Sequence, residues 1–327
     1  MLKLSKMKAT IFIPVYNGEF DNLESTLDAA CNQKTDYRYE VLITDSESSD
    51  NSVKIIEQYC NKYNFVTLKK IKKSEFSHGK TRQKAAEWAK GELIVYLTQD
   101  ATPANENWLN EMIRPFDIND NIMAVLGRQK PRPNCIPMLK YEILGVFNSQ
   151  GPSNGLTLYM RNPNDEKGNF TEKTYYSDVC TATRREFLLK KIGYKPVNYA
   201  EDQLFGREII DAGYIKAYNG EAFVIHSNNI ALKNYKKRMF DETYAMSKIS
   251  SIVTPISFVS VITRSVKGSV RDFLRIINDN EISKKRRLYW MLINPLFQLE
   301  KWRGIRLANM AMANNLDDSK YSLERRK

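Results

Sequence analysis

The run Ala9–Tyr16 is apolar and β-branched, and it leaves into Asn17-Gly18 without the glycine-rich fingerprint of a dinucleotide or P-loop site. It reads as a strand, and it opens a stretch to about residue 128 in which strand and helix patterns alternate. Leu23–Gln33 has helical spacing, and Tyr39–Asp45 is a second strand that ends on an aspartate. Ser49-Asp50-Asn51-Ser52 supplies cap chemistry for a helix over Val53–Tyr63. The strand Phe65–Leu68, a helix from Thr81 to Ala89, and the strands Leu93–Leu97 and Met123–Leu126 continue the series. Such alternation predicts an α/β fold with a parallel sheet covered on both faces. Ligands of that architecture gather at the carboxyl ends of strands, where Asn17, Asp45 and Asp100 fall.

Residues 129–180 carry Pro131, Pro133, Pro137, Pro152 and Pro163 and read as loops that close over a substrate. Regular patterns return at Arg184–Lys191, Gln203–Ala212 and the strand Ala222–His226. At 327 residues, 42% apolar and 27% charged, the chain buries a full core. No apolar run reaches the roughly 18 residues of a spanning helix, and Met1–Lys8 lacks the apolar core of a secretory signal. Cys31, Cys60, Cys135 and Cys180 have no CxxC spacing, which points to reduced thiols.

Taken singly, the polar residues at these ends have plain explanations. Asp45 suits a turn, Asp100 a strand end and Arg82 a solvated helix. Glu201-Asp202 suits a helix N-terminus, where the dipole favours acids. A histidine beside an apolar strand, such as His226, is commonly structural.

Their order changes the weighing. Pro14-Val15-Tyr16-Asn17-Gly18, Thr44-Asp45-Ser46-Glu47-Ser48-Ser49-Asp50, Gly79-Lys80-Thr81-Arg82-Gln83 and Glu201-Asp202 together resemble family 2 glycosyltransferases of the GT-A fold, over roughly residues 8–230. The resemblance implies a GT-A nucleotide-sugar-binding domain over 1–228, with a Rossmann-like, mostly parallel sheet flanked by helices. It implies donor contacts at Pro14, Tyr16, Asn17, Asp45, His78, Arg82 and Gln99, with Asp45 accepting the N3–H of a uracil or thymine ring. Asp202 takes the place of the general base, and Glu201 that of an acceptor-binding or loop-fixing residue. A divalent metal, Mg²⁺ or Mn²⁺, is implied at Asp100 and His226. The family usually offers Asp-x-Asp, whereas this chain has Thr98-Gln99-Asp100 and lacks the first carboxylate.

Within the family, Glu75-Phe76-Ser77-His78-Gly79-Lys80-Thr81-Arg82 and Leu97-Thr98-Gln99-Asp100-Ala101-Thr102-Pro103 look most like bacterial rhamnosyltransferases. That implies dTDP-L-rhamnose as donor and a saccharide acceptor, commonly lipid-linked, in capsule, O-antigen or cell-wall synthesis. A UDP-hexose donor, or a non-catalytic subunit that binds nucleotide sugar, stands as the alternative.

Residues 1–226 hold 30 Lys and Arg against 29 Asp and Glu, while residues 227–327 hold 20 against 9. The basic character therefore belongs to a helical region over 229–327, where Lys284-Lys285-Arg286-Arg287 precedes the aromatic, amphipathic stretch to Trp302. An inner-membrane surface or a homodimer contact fits that pattern. No zinc-finger or RNP-like motif supports nucleic acid as a partner. The expected location is the cytoplasm, peripheral to the membrane.

Overall fold

The computed structural model describes residues 6–197, 199–314, 316 and 320–322. Residues 1–5, part of the stretch read for a leader, lie outside them. The chain divides into two compact units, Met1–Arg132 with Ile143–Ser227, and Pro133–Glu142 with Asn228–Lys327.

The first unit is built on a nine-stranded sheet. Strand β1 (Met7–Val15) pairs in parallel with β2 (Arg38–Asp45) and with β4 (Leu93–Leu97), and β3 (Val66–Lys70) adds in parallel to β2. Side chains of β1 alternate between two cores, as a strand covered on both faces must. Ile11, Ile13 and Val15 pack with α1 (Leu23–Cys31), α2 (Ser52–Lys62) and α4 (Trp108–Ile113). Phe12 points the other way, into a cluster with Tyr96, Ala85 and Ala86 of α3 (His78–Trp88), Phe187 of α6 (Arg185–Lys190), and Phe205 and Ile209 of α7 (Glu201–Asp211).

The sheet is mixed rather than parallel throughout. Strand β8 (Cys180–Arg184) runs antiparallel between β4 and β6 (Ile122–Lys130). Strand β9 (Ile215–Ile225) lies parallel to β6, and the short β5 (Thr102–Pro103) and β7 (Leu156–Tyr159) pair antiparallel with it.

Two of these features depart from the sequence expectation. Cys-Thr-Ala-Thr-Arg is too polar to announce a central strand, yet β8 is buried because its hydroxyls are satisfied locally. Thr181 donates to Asp178 Oδ1 at 2.7 Å, and Thr183 Oγ1 lies 3.0 Å from the Tyr176 hydroxyl. The stretch 129–180, expected as loops, contains α5 (Pro137–Gln150) and β7. Pro137 opens α5 at the first helical position, where a missing N–H costs nothing.

The second unit carries α8 (Leu232–Ser250), α9 (Phe258–Asn278) and α10 (Lys284–Ala313). Ile136, Met138, Tyr235, Met239 and Phe297 form one small core, and Phe240, Ala308 and Ala311 another. Helices α9 and α10 form an antiparallel hairpin: Arg287 donates to Ile277 O at 2.9 Å, Gln298 to Asp272 Oδ2 at 2.5 Å, and Arg264 stacks 4.8 Å from the Trp302 ring. Gly268 faces the Gln298 amide across this seam, where a Cβ would crowd it. Among the described residues no helix is long and apolar enough to cross a membrane.

Candidate active site

The carboxyl ends of β1, β2 and β4 meet in a stapled loop cluster. Register pairs Val15 with Asp45, which sets the two strand exits side by side. The N–H of Asn17 donates to Ser48 Oγ at 2.9 Å, and Asn17 Oδ1 accepts the Ser49 N–H at 2.8 Å. Gly18 and Glu19 donate in turn to Ser52 and Asp50, at 2.7 and 3.0 Å. Gln99 ties in the β4 exit, its Oε1 accepting the Tyr16 N–H at 2.9 Å. Lys73 lies over the Tyr16 ring and reaches its hydroxyl at 2.7 Å. Asn17 and Glu47 hold φ of 48° and 60°, left-handed values that non-glycine residues rarely adopt and that surrounding bonds must enforce.

Asp45 is 2% exposed. Its Oδ2 accepts the Ser48 N–H at 3.2 Å, while Oδ1 is buried with no hydrogen-bond partner. A buried carboxylate oxygen left unmatched is costly and fit to accept a ligand N–H. His78 opens α3 with its ring edge-on to Phe76 at 5.1 Å. Its neighbour Gly79 is required by close approach, because a Cβ would meet Lys195 O at 2.8 Å and Glu201 at 3.5 Å.

The β5–β9 pairing, with Thr102 opposite Ile225, brings Asp100 to His226. Asp100 Oδ2 lies 3.2 Å from His226 Nε2, and His226 Nδ1 lies 3.0 Å from Gln129 Oε1. Gln129 uses its amide N–H₂ on Ser177 Oγ at 3.2 Å, which leaves Oε1 to accept from Nδ1. Nε2 then faces the Asp100 carboxylate, and a proton or a cation between the two atoms would satisfy both. Octahedral Mg²⁺ with bonds of about 2.1 Å separates adjacent ligand atoms by about 3.0 Å. Asp100 and His226 are spaced so that they would hold a divalent ion between them. No cluster of three or more acidic, His or Cys ligands occurs among the described residues. Burial pushes the Asp100 carboxyl up, but His226, a hydrogen bond from Thr98 and the charge of Arg132 together hold it below its ordinary value. Arg132 clamps both strand exits, donating to Asp100 O and to Ser227 O, the latter at 2.9 Å.

A second group of acids surrounds Arg82. Its guanidinium lies 3.2 Å from Asp178 and hydrogen-bonds Glu201, and all three side chains are almost fully buried. The Asp178 N–H donates to Asp202 Oδ2 at 3.3 Å, and Asp202 Oδ1 accepts the Gln203 N–H at 2.8 Å. Asp202 itself is only half-buried. Burial first, then the charges of Glu201 and Asp178, push its carboxyl up to about 8, against the opposing pull of Arg82. Ala200, immediately before this pair, sits at φ 61°. Arg82, expected on the donor, is instead turned onto two carboxylates, because a buried guanidinium needs anionic partners. Glu201 is likewise occupied in holding Arg82. Arg82→Gln would strand Asp178 and Glu201 without a cation, and urea unfolding is expected to show a loss of about 3–5 kcal/mol.

The model of glycosyl transferase family 2 matches residues 10–190, more than half of the chain. The chain belongs to glycosyl transferase family 2. This glycosyltransferase is 32% identical over 235 residues to the O-antigen chain rhamnosyltransferase WbaN of Salmonella anatum, covering 71% of this chain and 70% of that protein. It is 29% identical over 237 residues to RfbN of Salmonella typhimurium, covering 72% and 71%. Among solved structures, a mannosyltransferase of Pyrobaculum calidifontis in complex with GDP-Man and Mn²⁺ matches with a TM-score of 0.55 at 16% identity, over 94% of this chain and 75% of that one. Residues 1–349 of Staphylococcus aureus TarS match at 0.50 and 15%, over 94% and 92%. Those structural likenesses carry the fold, a GT-A domain with a mixed sheet flanked by helices.

The structure thus joins Pro14, Tyr16, Asn17, Asp45 and Gln99 in one loop cluster of the glycosyltransferase, Asp100 with His226, and Arg82 with Glu201 and Asp202. Three polar residues escaped the sequence reading. Gln129, Ser177 and Asp178 form a chain of contacts from His226 to Asp202, with Gln203 bonding Tyr176 O beside it. All three fall within residues 129–180, expected as loops, where nothing in the spacing signals them.

Proposed function

We propose that this glycosyltransferase moves L-rhamnose from dTDP-L-rhamnose to a lipid-linked saccharide acceptor, in synthesis of a bacterial capsule, O-antigen or cell-wall polysaccharide at the inner membrane face. The choice of rhamnose is supported by the 32% identity to the O-antigen chain rhamnosyltransferase WbaN over 71% of the chain. The unmatched Oδ1 of Asp45 supports a role in accepting the thymine N3–H, and Tyr16, Asn17 and Gln99 belong to the same loop cluster.

Asp202 removes the acceptor hydroxyl proton as that oxygen attacks the anomeric carbon. The bond from that carbon to the diphosphate oxygen breaks on the opposite face, so the product carries inverted configuration and dTDP leaves. An ionised Asp202 is the more basic for the acids beside it, which favours proton transfer from an alcohol. A divalent ion bound by Asp100 and His226 would supply positive charge to ease departure of the diphosphate. Gln129 orients His226 toward that position.

The test compares nucleoside diphosphate release from dTDP-L-rhamnose, UDP-glucose and UDP-galactose with Mn²⁺ and a bacterial lipid extract. Release of dTDP at a rate at least about tenfold above that of UDP is expected. Faster release of UDP would overturn the rhamnose assignment and leave the displacement chemistry in place.

A further inference from the structure

Helix α9 wears its amphipathicity inside out. Its buried face consists of Val261, Ser265, Gly268, Asp272 and Ile276, mostly small or polar residues that pack on α10. Val259, Ile262, Val266, Val270, Phe273 and Ile277 follow one another at three- and four-residue spacing on an outward face, and each is 42–70% exposed. A third stripe at the same spacing holds Arg264, Lys267, Arg271 and Arg275, all exposed. An apolar face with a basic face at its flank is the distribution that an interfacial helix presents to a bilayer. In α10 of the same hairpin Leu288, Leu292 and Leu296 are exposed too, as are Lys284 and Lys285. Arg286 and Arg287 of the same basic cluster are spent inside the unit, on the carbonyls of Pro133, Asn134, Ile277 and Ile282.

We infer that the outer stripes of α9, continued by the start of α10, lie in the interface of an anionic lipid surface. Charge selects this occupant over a second copy of the chain. Residues 227–327 carry 20 basic against 9 acidic residues, so two such faces repel one another while a leaflet of anionic headgroups attracts both. Apolar side chains then enter the acyl boundary, and Lys267 and its neighbours meet headgroup phosphates. The inference does not depend on which sugar the site takes.

Flotation of the full chain with phosphatidylcholine vesicles, with and without phosphatidylglycerol, tests it. Wild type is expected to bind the anionic vesicles at least about tenfold more tightly than the neutral ones and to weaken as salt rises. Val266→Asp with Val270→Asp should weaken that binding at least about tenfold, and Lys267→Glu with Lys285→Glu by a similar factor. Both pairs are surface positions, so an unchanged melting temperature shows that folding is intact. Failure of wild type to float with anionic vesicles would overturn the inference, as would equal binding by the aspartate pair. A micromolar dimer dissolved by the aspartate pair, with no flotation, would transfer the face to a second copy.

Discussion

Asp202→Asn is expected to lower transfer by about 10²–10⁴-fold, the share a positioned general base contributes, while the protein stays folded. An amide fits the space and still accepts the Gln203 N–H, though it gives up the longer bond from the Asp178 N–H, and it takes no proton from an acceptor hydroxyl. The same substitution should stabilise. A carboxyl raised to about 8 in the native state is penalised when ionised, by burial and by Glu201 and Asp178. Its ordinary value near 4 applies in the unfolded chain. The native state therefore binds more protons between about pH 4 and pH 8, and wild-type stability falls across that window. Asp202→Asn escapes the fall, so its melting temperature should exceed that of wild type by a margin that grows from pH 4 to pH 8 and then levels. A difference of ~1 kcal/mol corresponds to about 1–2 °C in a chain of this size.

The wild-type rate should rise through a limb near pH 8 as Asp202 ionises. Asp178→Asn removes one of the charges that raises it, and should move the limb toward acid. An unchanged limb would assign the ionisation to another group.

Asp100→Ala should reduce metal-dependent transfer at least about 100-fold, a loss of roughly 2.7 kcal/mol of transition-state stabilisation. The chain offers one carboxylate where the family usually offers two, so Asp100 has no near substitute. His226 remains after the substitution, and millimolar Mn²⁺ should restore part of the activity by mass action. Chelation with EDTA should bring wild type to the level of the variant. If Asp100→Ala and wild type respond alike to Mn²⁺ titration, the ion binds elsewhere. Asp100 also loses its bond to His226, so unfolding of the variant should be monitored alongside.

Much of this site was legible because its residues sit where a simple pattern ends. Asn17, Asp45 and Asp100 stand at the ends of apolar strands, so their place at the carboxyl edge of the sheet follows from the fold. The contact between Asp100 and His226 needed the family resemblance, since strand pairing across a mixed sheet has no local signature. What sequence could not convey was the buried polar framework. Arg82 reads as a solvated helix residue until Asp178 is placed beside it, and Asp178 lies in a polar stretch with no periodicity. Strand β8 was missed for the same reason: its burial depends on hydroxyl partners that only tertiary structure supplies. The inverted face of α9 was likewise hidden, because apolar residues at helical spacing ordinarily mark the side that packs inward.

The most direct test of a displacement driven by Asp202 is the anomeric configuration of the product, determined by NMR after incubation of wild type and Asp202→Asn with dTDP-L-rhamnose, Mn²⁺ and a lipid-linked acceptor fraction. The expected result is a rhamnoside of configuration opposite to that in the donor, formed by wild type and nearly absent with Asp202→Asn. A product of retained configuration, or equal product from both proteins, would contradict it.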